Sequence, residues 1–399
     1  MVEKIKSIFT TSFFKDPKYI AVIWIIISAI SAIKQFARGS YNNYLIFKNV
    51  FWHTLEKQSL YAEYPNLYFD HNHYGPVFSL FIAPFAVLPD AIGIVLWNSF
   101  NAFLLVWAIF KLPLNTQKIS LILWICLNEF ITSNLGLQFN PTMTALILLT
   151  YVFIIEEKEV WAAFCIVLGL FVKLYGVVGL AFFFFIKNKL KFIAALISWS
   201  IILFVLPMLI SSPVFVCDSY VEWFGRLVVK NSENASLASR QDISVMGMFR
   251  RISGHAEWSN LPFLSVGLIL FGLPYLRWSM FKNTKFQLLL LASVLIFTVI
   301  FSSGSESPTY IIAFIGVAIW FVLKESIVTN ADWGLFIFAI LLTSFSPTDL
   351  FPKFIRETYI NPYALKALPC VLIWLKIVYE MLVLNISNNN HVRLKDGKL

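Results

Sequence analysis

Apolar runs recur along the chain near residues 19–33, 77–110, 119–136, 141–155, 160–186, 192–211, 262–277, 286–302, 309–323, 332–346 and 363–384. Crossing the hydrocarbon core of a bilayer takes about 20 apolar residues in a helix, and runs of this kind leave no room for a long soluble insert. Hydrophobic residues make up 59% of the 399 and charged residues 13%, against about 45–50% and 25% in soluble domains. The mean hydropathy is +0.75. These features predict an all-α, polytopic transmembrane helical bundle, a single integral membrane domain over residues 1–399.

Orientation follows from the basic flanks. Lys4, Lys6, Lys15 and Lys18 precede the first run, and Lys187/Lys189/Lys191, Lys282/Lys285, Lys324 and Arg393/Lys395/Lys398 flank later ones. Basic residues collect on the cytoplasmic side, which makes both termini, including the tail 386–399, cytoplasmic and requires an even number of crossings, about 12 at ordinary span length. The first run then reads as an uncleaved signal anchor, and the whole as a multi-pass protein of a bacterial inner (plasma) membrane. Two sizeable extracytoplasmic loops result, 34–74 and 212–261, with shorter ones at 302–308 and 347–362.

Two runs are too long for simple spans. Residues 160–186 carry Lys173 at their centre, and a lysine at mid-bilayer costs about 3 kcal/mol on insertion scales, so two short helices meeting near Lys173 on the outer side are expected. Residues 77–110 contain Pro84, Pro89 and Asp90 and predict a kinked helix or a broken pair. The net charge of +9 is spread along membrane flanks, where topology accounts for it; membrane lipids are the expected surroundings and nucleic acid is not a partner. Cys126, Cys165, Cys217 and Cys370 lie far apart and suggest no disulfide framework.

Titratable groups gather in YFDHNHYGP, residues 68–76. Asp70, His71, His73 and Tyr74 there lie at the outer rim, where an acid can meet a substrate whose tail is dissolved in lipid. As a metal set Asp70, His71 and His73 lack a fourth ligand and helical spacing. In the same loop Tyr44, Phe47, Phe51 and Leu55 repeat at helical spacing opposite Asn43, Lys48, Asn49 and Glu56, the pattern of a helix in the interface plane or of a packed loop helix. The second loop carries Arg226, Lys230, Arg240, Arg250 and Arg251, whose paired N–H donors suit phosphate oxygens or lipid headgroups. Gln138 and Asn140 at a helix boundary, and Lys173 at the hairpin tip, complete the polar interruptions. Buried amides usually cross-link helices, whereas a lysine within a membrane run has a phosphate as its natural partner.

Four stretches resemble polytopic GT-C glycosyltransferases, most closely glycosyltransferase family 87, which contains polyprenyl-phosphate-mannose-dependent mannosyltransferases. They are LYAEYPNLYFDHNHYGPVFSLFIAPFAVLP, NLGLQFNPTMTALILL, FCIVLGLFVKLYGVVGL and the segment from Arg240 to Arg251. The resemblance spans about residues 35–320. It implies an enzyme that moves a hexose, mannose at family level, from a polyprenyl-phosphate sugar to a lipid or polysaccharide acceptor on the extracytoplasmic face, with inversion. A first-loop aspartate acts as general base in that scheme and cations stabilise the leaving phosphate. Carried over by motif, Asp70 is the base; Lys173, Arg250 and Arg251 stand near the phosphate, Gln138 and Asn140 shape the cavity, and Tyr310 lines it. No cofactor is implied, and a divalent metal is neither required nor excluded.

One departure stands out. Relatives commonly carry their aspartate early in the first loop, where this chain has Asn42 and Asn43. Either Asp70 has taken over, or the early position is not equivalent, or the protein is no longer a transferase. A transporter or flippase of lipid-linked sugars is the competing reading. It calls for paired halves and polar groups near mid-membrane, whereas the polar residues here collect toward one face.

Overall fold

The apolar runs fold as helices, seen in a computed structural model that describes residues 12–239, 241–324 and 328–383. In chain order these are α1 (Pro17–Ala37), α2 (Asn42–Glu56), α3 (Phe78–Ala86), α4 (Asp90–Lys111), α5 (Thr116–Leu135), α6 (Asn140–Ile155), α7 (Glu159–Lys173), α8 (Lys189–Val205) and α9 (Pro213–Asn234). There follow α10 (Val245–Ser253), α11 (Leu261–Gly272), α12 (Thr284–Ile300), α13 (Tyr310–Val322), α14 (Asn330–Phe338) and α15 (Leu368–Val383). No strand occurs among the described residues. The expected cytoplasmic tail, the basic groups at Lys4, Lys6 and Arg393 to Lys398, and Arg240 lie outside the described residues.

Among the described residues three segments are long and apolar enough to cross a membrane: α1, α4, and α8 with its 3-10 extension to Leu209. The first and last leave apolar stripes uncovered, Val22, Ile26, Ile30 and Ile33 on α1 and Ile193, Ile197 and Ile201 on α8. Spacings of three and four place each stripe on one helix face, and such faces are stable against lipid rather than water. The chain is a helical membrane protein.

Contacts divide it into two units, residues 24–111 with 131–230, and the remainder of the chain. In the first unit α6 is buried on every side from Asn140 to Val152, as a helix apolar all round requires, with α4 and α7 packed on it. The long run at 77–110 resolves into a broken pair: α3 ends after Ala86, Leu88-Pro89 interrupts the ladder, and Asp90 opens α4. Pro89 cannot donate within a helix interior, and Asp90 at the N-terminal turn is favoured by the helix dipole and accepts from Lys48 Nζ at 2.6 Å. The second long run also breaks as expected. α7 ends at Lys173, Leu174 adopts the left-handed conformation (φ 52°), and a 3-10 segment runs from Tyr175 to Phe185. The amphipathic spacing in the first loop is α2, with Tyr44, Phe47 and Phe51 buried and Leu55 exposed.

In the second unit α12 and α13 pack along each other, with α15 against both. Within it Lys366, just before α15, donates to both carboxylate oxygens of Glu129 on α5, at 3.0 and 3.2 Å, and to Ser307 Oγ at 3.0 Å. Its Nζ also lies 4.9 Å from the Tyr310 ring centroid. Both charged side chains are almost wholly buried. Removing one partner leaves a buried charge uncompensated, so Lys366→Met is expected to lower stability by about 3–5 kcal/mol. Adding Glu129→Leu to it should recover much of that loss. Unfolding in mixed detergent micelles, with single and double variants compared, measures both.

Candidate active site

The stretch YFDHNHYGP belongs to the first unit, between α2 and α3, and is fixed at several points. The Asn42 side chain, at the start of α2, donates to the Phe69 carbonyl at 2.8 Å and accepts from the Phe69 N–H at 2.7 Å. Asn72 bonds both the N–H and the carbonyl of Tyr74, each at 2.9 Å. Trp223 Nε1 on α9 donates to the His73 carbonyl at 2.9 Å. The Gly75 N–H donates to the Val172 carbonyl at 3.2 Å, which seats the loop on the last turn of α7.

Asp70 stands between these anchors at φ 69°, a left-handed conformation that Asp tolerates better than most side chains. Its Oδ1 accepts from the His71 N–H at 2.8 Å, and its Oδ2 lies 3.8 Å from Lys230 Nζ. The side chain is 50% exposed and so is open to a ligand. Partial burial raises its pKa, but the His71 N–H, Lys230, His73 and His71 together win and hold the carboxyl below its ordinary value. Asp70 is therefore ionised at neutral pH.

The two histidines differ. His71 Nδ1 is 3.0 Å from the Tyr61 carbonyl and its Nε2 3.4 Å from Glu63. His73 has a buried Nε2 without a hydrogen-bond partner. Burial and the Lys230 charge push the His73 ring down to about 4 against the opposing pull of Asp70, with Arg226 adding to the depression. At neutral pH it is a neutral imidazole beside two cations.

Lys173 projects from the C-terminus of α7, where the helix dipole favours a cation. Its Nζ donates to Asn140 Oδ1 at 2.8 Å, and Asn140 Nδ2 donates to Gln138 Oε1 at 2.5 Å. The same Nζ lies 5.2 Å from the Tyr175 ring centroid and 5.9 Å from that of Tyr74. Thus Gly75 bonds the residue preceding Lys173, and Tyr74 faces Lys173 itself. The loop of Asp70, His71, His73 and Tyr74 is brought together with Lys173, Asn140 and Gln138, as the sequence spacing alone could not show.

Arg250 and Arg251 require a correction. Both lie in the second unit, where Arg250 is 2% exposed. It donates through NH2 to Asp242 at 2.5 Å and through NH1 to the Trp258 carbonyl and Asn260 Oδ1, both at 2.8 Å. Arg251 donates to the carbonyls of Ser239 at 2.5 Å, Gln241, and Asn361 at 3.3 Å. These guanidinium groups hold their own loop and have few donors left for phosphate. Tyr310, expected to line a cavity, is fully buried and donates to the Ile243 carbonyl at 2.7 Å. Lys230 lies beside Asp70 and, together with Arg226, acts on the His73 ring. With Trp223 they repeat at i, i+3 and i+7 along α9, one helix face, and that spacing was the available signal. Among the described residues no group of three or more His, Cys, Asp or Glu is placed to hold a metal ion.

The loop thus presents a half-exposed carboxylate 3.8 Å from the Lys230 ammonium. The chain belongs to glycosyltransferase family 87, which it matches over residues 72–303. That segment includes His73, Tyr74, Gln138, Asn140, Lys173 and the α9 cations, and begins two residues after Asp70. No curated protein matches the chain.

Gly75 is where the loop meets α7 most closely. A methyl group there would lie 2.0 Å from the Phe171 carbonyl oxygen and 3.0 Å from the Trp223 ring. Since backbone cannot yield as a side-chain tip can, Gly75→Ala is expected to cost about 1–3 kcal/mol. Hydrogen exchange at residues 69–76 should accelerate in the variant while α6 stays protected.

Proposed function

We propose that this family 87 glycosyltransferase transfers a hexose, mannose in the first instance, from a polyprenyl-phosphate sugar to a lipid or polysaccharide acceptor. The reaction takes place at the extracytoplasmic face of a bacterial inner membrane, with both termini cytoplasmic. The acceptor hydroxyl attacks the anomeric carbon opposite the phosphate. Its oxygen forms the new glycosidic bond, its proton passes to Asp70, and the anomeric C–O bond breaks with the electron pair leaving on polyprenyl phosphate, so the configuration inverts. One observation carries this reading: in a family 87 chain, one loop sets an ionised carboxylate 3.8 Å from Lys230 and, four residues on, packs Tyr74 toward Lys173.

The electrostatics favour a division of labour. A carboxylate held low by a neighbouring ammonium is a weak base. The donor's phosphodiester, which gains charge as polyprenyl phosphate leaves, draws Lys230, Arg226 and Lys173 to its own oxygens. Relieved of Lys230, Asp70 regains basicity when the donor is in place. His73, neutral and with a buried, unpartnered Nε2, is suited to a sugar hydroxyl that reaches it, and Asn140 and Gln138 keep Lys173 extended. Arg250 and Arg251 serve by holding the second loop.

The test uses the full chain in vesicles with polyprenyl-phosphate mannose as donor and membrane lipid extract as acceptor. Asp70→Asn is expected to lower transfer by about 10²–10⁴-fold, the usual worth of a general base, with the fold retained. Turnover at the wild-type rate would remove Asp70 from the chemistry. The acid side of the pH profile gives a second test. Asp70 must be ionised, and its pKa lies below the usual value, so activity persists to lower pH than an ordinary carboxylate permits. Lys230→Met removes a charge that lowers the pKa of both Asp70 and His73, and the acid limb should move to higher pH.

A further inference from the structure

We infer that Asn42 is a positioning residue for Asp70, acting through the Phe69 peptide; the inference rests on reading Asp70 as the base. The Asn42 amide meets Phe69 with donor to carbonyl and acceptor to N–H, at 2.8 and 2.7 Å, across 27 residues of chain. The Phe69 carbonyl belongs to the peptide plane that leads into Asp70. Fixing that plane restricts the rotation that sets Asp70 at φ 69°.

Packing does not supply this restraint, because the Phe69 ring is 78% exposed and gives the loop no buried anchor. Asn42 in turn is rooted in α2, whose Tyr44, Ile46, Phe47, Val50 and Phe51 are buried. On the far side of Asp70, Trp223 holds the His73 carbonyl and Val172 the Gly75 N–H. The carboxylate is thus presented between two fixed points, with its Oδ1 on the His71 N–H and its Oδ2 toward Lys230.

Only an amide fits position 42. A carboxylate offers acceptors alone, so an aspartate there would keep the bond from the Phe69 N–H and set oxygen against oxygen at the Phe69 carbonyl. The asparagine is a clamp with a defined polarity, and not an aspartate that has lost its charge.

The test needs two readouts on the full chain in vesicles. One is mannosyl transfer from polyprenyl-phosphate mannose. The other is labelling of Asp70 by a water-soluble carbodiimide with glycine ethyl ester, followed by mass spectrometry across pH, which needs no substrate. Asn42→Ala is expected to lower kcat by about tenfold or more, the worth of one or two ordinary hydrogen bonds expressed in the transition state, with the donor KM little changed. Its Asp70 labelling curve should move to higher pH, toward that of a free carboxylate. Asn42→Asp should fall at least as far as Asn42→Ala. Asn49→Ala, whose amide bonds only the Leu45 carbonyl of its own helix, should match wild type in both readouts. An unchanged labelling curve in Asn42→Ala overturns the clamp, and so does faster turnover in Asn42→Asp, which would make position 42 itself the seat of the base. Full turnover in Asp70→Asn overturns the base assignment instead, and the labelling curve still shows whether Asn42 holds the loop.

Discussion

A lysine carried into an apolar helix must find its partners within the protein, because the surrounding hydrocarbon offers none. Each unit is organised around one such residue. In the first, Lys173 sits at a helix end rather than mid-span, on Asn140 and between two tyrosine rings. In the second, Lys366 is matched by the Glu129 carboxylate and Ser307. The difference is instructive. Lys366 is paired with an opposite charge and buried, a structural solution. Lys173 instead donates to a neutral amide, the side chain of Asn140.

The first-loop stretch shows how competing effects set one carboxylate. Burial raises Asp70 and cations lower it, and the cations win because a backbone N–H and Lys230 act at short range on a group still half open to water. For His73 burial and cations act in the same direction, and the ring stays neutral. One carboxylate and one imidazole, three residues apart, are thereby set to be an anion and a neutral ring at the same pH. The α9 face that carries Trp223, Arg226 and Lys230 supplies both the tuning and the mechanical anchor, so fixing the loop also fixes its electrostatics.

Much of this was legible in the chain. Pro84 and Pro89 announced the break between α3 and α4, the penalty on a mid-span lysine announced the end of α7 at Lys173, and helical spacing announced α2. These are local signals, fixed by backbone sterics and solvation. The reading strayed where side chains chose partners at a distance. Arg250 and Arg251 looked free for phosphate, yet Arg250 pairs with Asp242, eight residues earlier and at φ 56°, and Arg251 reaches Asn361. Asn42 looked like a missing acid, and no pattern revealed that its amide matched a peptide 27 residues away.

The Glu129–Lys366 pair also bears on how the protein is made. The two residues are 237 positions apart, and a ribosome adding about 5–20 residues per second needs roughly 12–50 s to reach the second after the first. Glu129 is therefore made long before its counter-ion exists. The nascent second unit must wait, with its acid made and its partner unsynthesised, until Lys366 has been added. Assembly of that half is in effect timed by the synthesis of the turn that leads into α15.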